Sequence, residues 1–190
     1  MPLPEYSGTL GTKRAAHLLR RASFGANPTQ IKTFAGMTPA QAIDQLFPAA
    51  ELPIPLPPID PQTGQEWVTT GATGANSEDF DLEQFYMGWF IAQMMAYQIP
   101  EAQALAYSTR EKIVWFLHTH FTCIANKVQS SRALYFQNQL LRQYAFDSLP
   151  STYEKNFKTL TVKISVDNAM IKLLDGRLNV KGNPNENYGR

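Results

Sequence analysis

Helix-start signals recur along this chain more densely than any other feature, and they leave little room for a sheet. Asn27-Pro28 and Thr38-Pro39 each set a capping side chain before a proline. Proline suits the first turn of a helix, where its missing amide proton would find no partner. Ser108-Thr109-Arg110-Glu111 and Ser151-Thr152-Tyr153-Glu154 have the spacing of reciprocal capping boxes. Ser77, followed by Glu78, Asp79 and Asp81, gives a cap and an acidic first turn. Asp167 precedes a short apolar run with Met170, Leu173 and Leu174, and Asp175-Gly176 is its exit.

The apolar spacing agrees. Thr12 is positioned to cap a helix with Ala15, Leu18, Leu19 and Ala22 on one face and Gly25 as a left-handed terminator. Ile43, Leu46 and Phe47 lie on a short helix that Pro48 stops. Leu82, Phe85, Tyr86, Trp89, Phe90, Met94 and Met95 make a helix apolar on most sides, which suits a central core position. Ile113, Phe116, Leu117, His120 and Phe121 form one stripe of the helix expected after Ser108. A further helix is expected from about Ser131 to Phe146, and another carries Phe157, Leu160, Thr161 and Ile164. No run alternates like a strand. The expectation is an all-α, orthogonal assembly of roughly seven to nine helices, forming a single domain over 1–190.

Residues 48–76 break the pattern. Proline at 53, 55, 57, 58 and 61 rules out helix, because each lacks an amide donor and restricts the residue before it. The segment is expected to be an extended, polyproline-like insertion held to the helical body by Leu52, Ile54, Leu56 and Trp67.

Charge is unevenly spread beneath a net +1. Residues 51–101 hold eight acidic groups and no Lys or Arg, whereas residues 1–47 hold five basic and two acidic groups. The plain reading is a solvated acidic stretch on a basic helical body; the sharper one is an acidic segment lying over a basic surface of this chain or a partner. There is no domain-wide basic excess with interleaved aromatics, so nucleic acid is not expected as a partner. No apolar run reaches the ~20 residues of a membrane span. No leader pattern follows Met1, which taken literally implies the cytoplasm, or export if a leader has been removed. The single cysteine, Cys123, allows neither an intrachain disulfide nor a cysteine-based zinc site.

Several of these segments resemble the signatures of a bacterial family known as domain of unknown function 1800. The residues are Ala15 to Gly25, Arg110-Glu111-Lys112 with Trp115 to Phe121, Asn156 to Leu160, Asp167 to Met170, and Asn183 to Arg190. They occur in the family's order, with Asn168 where the family usually has proline and Gly189 where it usually has alanine. The resemblance implies that the chain is the N-terminal part of a longer protein. It also implies a possible partner related to the sulfatase and alkaline phosphatase superfamily. It implies no reaction and no cofactor. A helix start at Asn183-Pro184 so close to Arg190 fits the same reading, with exposed apolar surface near Tyr188 and self-association as expected consequences.

The candidates for chemistry are few. His118 and His120 lie two apart, about 200° around a helix, so they do not chelate one metal together. A hydrogen-bonded core role competes with a catalytic one for each of them, and His17 is the remaining histidine. Glu186 with Arg190 four residues on could polarise a substrate or simply form a helix pair. Asn185 and Asn187 are candidate binding residues beside them. Arg20 and Arg21 suit the end of a helix, where they could bind a ligand or tie helices together through carboxylates. No metal site, phosphate loop or dinucleotide fingerprint is present. Two classes of function follow: a non-catalytic helical scaffold or binding domain, and a hydrolase-like enzyme using Glu186, Arg190 and a histidine.

Overall fold

A computed structural model of the chain describes residues 6–60, 64–66, 68, 79–146 and 156–189, without the side chains of residues 79–81. Ten α-helices and one 3-10 turn account for the regular structure among them, and the only β pairings are two isolated bridges. The chain is all-α. No helix among the described residues is long and apolar enough to cross a membrane. Trp67, the expected caps at Ser77 and Ser151, and Arg190 lie outside the described residues.

Contacts divide the chain into two compact units, one of 1–54 with 92–113, the other of 55–91 with 114–190. The first unit begins with α1 (Gly11–Ala22), α2 (Pro28–Ala35) and α3 (Pro39–Leu46). Asn27 and Thr38 cap α2 and α3 as expected, each in a full capping box closed by Gln30 and Gln41. Thr12 does not cap α1. The helix starts one residue earlier, at Gly11, whose φ of +67° suits a residue without a side chain. Nor does Gly25 end it. Ser23 turns the chain into an extended conformation, and its hydroxyl donates to the Leu19 carbonyl at 2.7 Å. Leu10, Ala15, Leu19, Phe34, Ala42 and Leu46 form the core of this unit, the larger ones contributing about 1.5–3 kcal/mol each by burial.

Two long helices run through both units: α4 (Asp79–Met94) and α5 (Glu101–His120). They are joined by a tight turn in which Ala96 and Gln98 both take positive φ. The Ser108 capping box is not a helix start. It lies inside α5, which runs without a break from Glu101. Its hydroxyl is used for tertiary contact instead, accepting the Phe24 amide at 3.1 Å and donating to the Met94 carbonyl at 3.3 Å. The buried face of α5 follows Tyr107, Glu111, Val114 and Leu117, so Phe116 and His120 fall on the exposed side, away from the expected stripe.

The second unit adds α6 (Ala125–Val128), α7 (Ser131–Gln143), α8 (Phe157–Ser165), α9 (Asn168–Leu173) and α10 (Glu186–Gly189). Its core joins Leu82 and Tyr86 of α4, Cys123, Val128 of α6, Leu134 and Tyr135 of α7, and Ala169 of α9. Ser130, Asn156 and Asp167 cap α7, α8 and α9 through their side chains. Leu160 is buried here, Met170 is half-buried and Phe157 is 63% exposed.

The described residues of the proline-rich segment form no helix, and their anchors differ from those expected. Leu52 is buried in the first unit, and its carbonyl accepts from Arg110 Nη1 at 3.3 Å. Ile54 and Leu56 are exposed, at 51% and 76%. In the second unit Pro58 is buried, and the Leu56 carbonyl accepts from the Trp89 indole at 2.8 Å. From Pro53 to Asp60 the chain is therefore held by main chain and a proline ring, and farther on Val68 packs against the core of the second unit. Polyproline-like backbone leaves its carbonyls free for such bonds.

Candidate functional site

The histidines come first, as the chain's only side chains with an ordinary pKa near neutrality. His118, near the C-terminus of α5, sits among aromatic rings. Trp115 stacks on it at 5.9 Å between centroids, and Phe90 of α4 meets it edge-on at 6.2 Å. Phe90 and Trp115 are themselves 6.2 Å apart, so the three rings form a closed cluster. Burial there favours the neutral imidazole and lowers the pKa of His118. The ring makes no hydrogen bond among the described residues.

His120, the last residue of α5, is exposed. Its Nδ1 lies 2.9 Å from the Phe116 carbonyl, and its ring packs on Phe116 with centroids 4.3 Å apart. It is hydrogen-bonded, as expected, but to the main chain and in contact with solvent. His17 belongs to the other unit, on the exposed side of α1.

The polar cluster near the C-terminus builds a turn. Asn185, not Asn183, is the capping side chain: its Oδ1 accepts the Tyr188 amide at 3.1 Å. Asn183 instead pairs with Val180 in an isolated bridge around Gly182. The Asn185 amide donates to Asn179 Oδ1, and the Tyr188 hydroxyl donates to the Ser165 carbonyl at 2.6 Å. The Tyr188 ring covers Gly176, where an added Cβ would lie 2.7 Å from Cδ2. Long-range contacts thus stabilise a single helical turn that would not persist alone. Glu186 and Asn187 are exposed on it, and Arg190 lies outside the described residues.

Cys123 is buried, with Gln137 Nε2 donating to its sulfur at 3.0 Å. Burial raises its pKa to about 11, against a smaller lowering by that hydrogen bond, so it remains a thiol at neutral pH. No group of three or more His, Cys, Asp or Glu able to hold a metal occurs among the described residues.

Among the described residues no carboxylate pairs with Arg20 or Arg21. Both are exposed. With Lys13, Arg14 and His17 they make one side of α1 basic. A depression of about 620 Å³ borders Lys13, Arg14, His17 and Arg20. Sequence reading identified the arginines singly but not the face. The signal was their recurrence at i, i+1, i+4, i+7 and i+8 on a helix whose opposite side carries Ala15, Leu19 and Ala22. The other missed feature is the buried Arg110–Glu111 pair, at 3.2 Å, which the capping-box reading concealed.

A family model described as a protein of unknown function (DUF1800) matches residues 17–190. No curated protein and no solved structure matches the chain.

Proposed function

The chain belongs to the DUF1800 family of proteins of unknown function, and on that footing we propose that it is a non-catalytic binding domain. The observation that carries this reading is how the histidines are used. The His118 ring is enclosed by Phe90 and Trp115, and His120 is occupied by the Phe116 carbonyl and ring. Neither is oriented by a carboxylate among the described residues. Glu186, the candidate acid, stands exposed on a turn whose polar neighbours serve to hold the backbone. Acid–base catalysis needs a base within hydrogen-bond reach of its proton and, usually, a third group to orient it.

The test is hydrolysis of p-nitrophenyl acetate and p-nitrophenyl phosphate by the chain and by its His118→Ala, His120→Ala and Glu186→Gln variants. The expected result is no turnover above buffer for any of them. Turnover that disappears in one variant whose fold is intact would establish the hydrolase reading instead.

A further inference from the structure

One side of α1 gathers five basic side chains, all exposed. At about 100° per residue, Lys13, Arg14, His17, Arg20 and Arg21 share an arc of about 120°. The opposite side is sealed into the core through Ala15 and Leu19, both fully buried. The sequence has no acidic residue between Tyr6 and Ile43. Arg14 lies over the Tyr6 ring at 4.5 Å and donates to its hydroxyl at 3.4 Å. Lys13, His17, Arg20 and Arg21 take part in no ion pair or hydrogen bond through their side chains among the described residues.

We propose that this face docks a carboxylate-rich segment of a partner protein. The proposal deepens the binding-domain reading and rests on it. The positive groups repeat at one-turn intervals, about 5.4 Å, close to the spacing of acids at i, i+4 on a helix. Arginine forks suit carboxylates geometrically, each donating two parallel bonds to the two carboxylate oxygens. A bilayer fits less well. Amphipathic helices bind membranes by inserting their apolar side, and here that side is buried, while the basic groups border a depression. Nucleic acid fits less well too. Single strands are held by aromatic platforms as well as charge, and the aromatic ring at this face, Tyr6, is covered by Arg14.

The experiment measures fluorescence anisotropy of a labelled ten-residue polyglutamate peptide on the whole chain, at low and high salt. An RNA oligonucleotide of equal charge and phosphatidylserine vesicles are run beside it. The peptide is expected to bind more tightly than either, with affinity falling as salt rises. Arg20→Ala with Arg21→Ala should weaken it about tenfold or more, a loss of about 1.4 kcal/mol. Lys32→Ala, an exposed site on α2, should leave it within about twofold. Circular dichroism checks that the variants are folded. Equal peptide binding by the arginine variant overturns the proposal. So does tighter binding of RNA or vesicles through the same arginines, or self-association in sedimentation that those substitutions abolish. Hydrolysis assays on the same samples separate this failure from that of the binding-domain reading, since loss of peptide binding without turnover leaves the latter standing.

Discussion

Arg110 and Glu111 are consecutive residues of one helix, yet their side chains pair with each other, Nε to Oε1 at 3.2 Å, with 6% and 0% of their side-chain surfaces exposed. Neighbouring helix positions point about 100° apart, so such pairing needs support from elsewhere. The Arg110 guanidinium lies over the Tyr107 ring at 4.4 Å, and its Nη1 donates to the Leu52 carbonyl. Removing one member leaves the other charged and buried. Glu111→Ala is therefore expected to cost about 3–5 kcal/mol in urea unfolding. Replacing both residues by Met and Leu should cost clearly less than the two single losses added together. Additive losses would show that the pair is not coupled.

His118 makes stability depend on pH. Burial depresses its folded pKa below the ordinary 6.5, so the unfolded chain binds a proton more readily than the folded one. The resulting stability is present above pH 6.5. It is lost as pH falls from there through the depressed folded value. The melting temperature of the natural chain should decline over that window more steeply than that of His118→Phe. Asp167, whose carboxyl is raised by burial against opposing backbone hydrogen bonds, acts in the opposite sense, but equally in both proteins. Parallel pH profiles would contradict this account.

The proline-rich segment offers a contrast between two leucines four residues apart. Leu52→Ala removes a buried side chain and is expected to cost about 2–5 kcal/mol. Leu56→Ala should stay within about 0.5 kcal/mol, since the segment is held there by its carbonyl and the side chain is in solvent. Chemical denaturation of the two variants compares them directly.

Gly176 and Tyr188 are matched in size. A Cβ at position 176 would meet three ring atoms at 2.7–3.0 Å. Gly176→Ala should therefore displace the ring and detach α10, costing about 1–3 kcal/mol. The first sign should be faster amide exchange at Tyr188. In the Tyr188→Ala background, the same substitution should add little. A full additional loss there would mean that the glycine serves its own backbone and not the ring.

Local helix grammar was legible where the capping oxygen accepts from its own helix. Asn27, Thr38 and Asp167 satisfy amides two or three residues ahead, an interaction contained within a few residues of sequence. Ser108 has the same spelling, but its oxygen is engaged by Phe24, 84 residues away. Nothing local could announce that. The helical phase of α5 was misread for a related reason. Phe116 looks like a core residue by hydropathy and His120 follows it by spacing, but the buried register is set by Tyr107, Val114 and Leu117, together with the Arg110–Glu111 pair. Charged residues at buried positions invert the usual signal. The candidate residues near the C-terminus were visible as a polar cluster. Their use in holding a turn depends on Asn179, Ser165 and Gly176, which the cluster does not contain. The basic face of α1 needed only helical geometry.

The first unit is assembled from two stretches of chain, 1–54 and 92–113, with part of the second unit between them. On a ribosome these stretches emerge at different times. The 59 residues from Pro55 to Ile113 take about 3–12 s to synthesise at ~5–20 residues per second. Until then α1, α2 and α3 lack Leu105 against their core and the Ser108 hydroxyl against Phe24. The nascent chain must therefore carry three helices with an incomplete core past the exit tunnel, a waiting period in which chaperones have most reason to meet it.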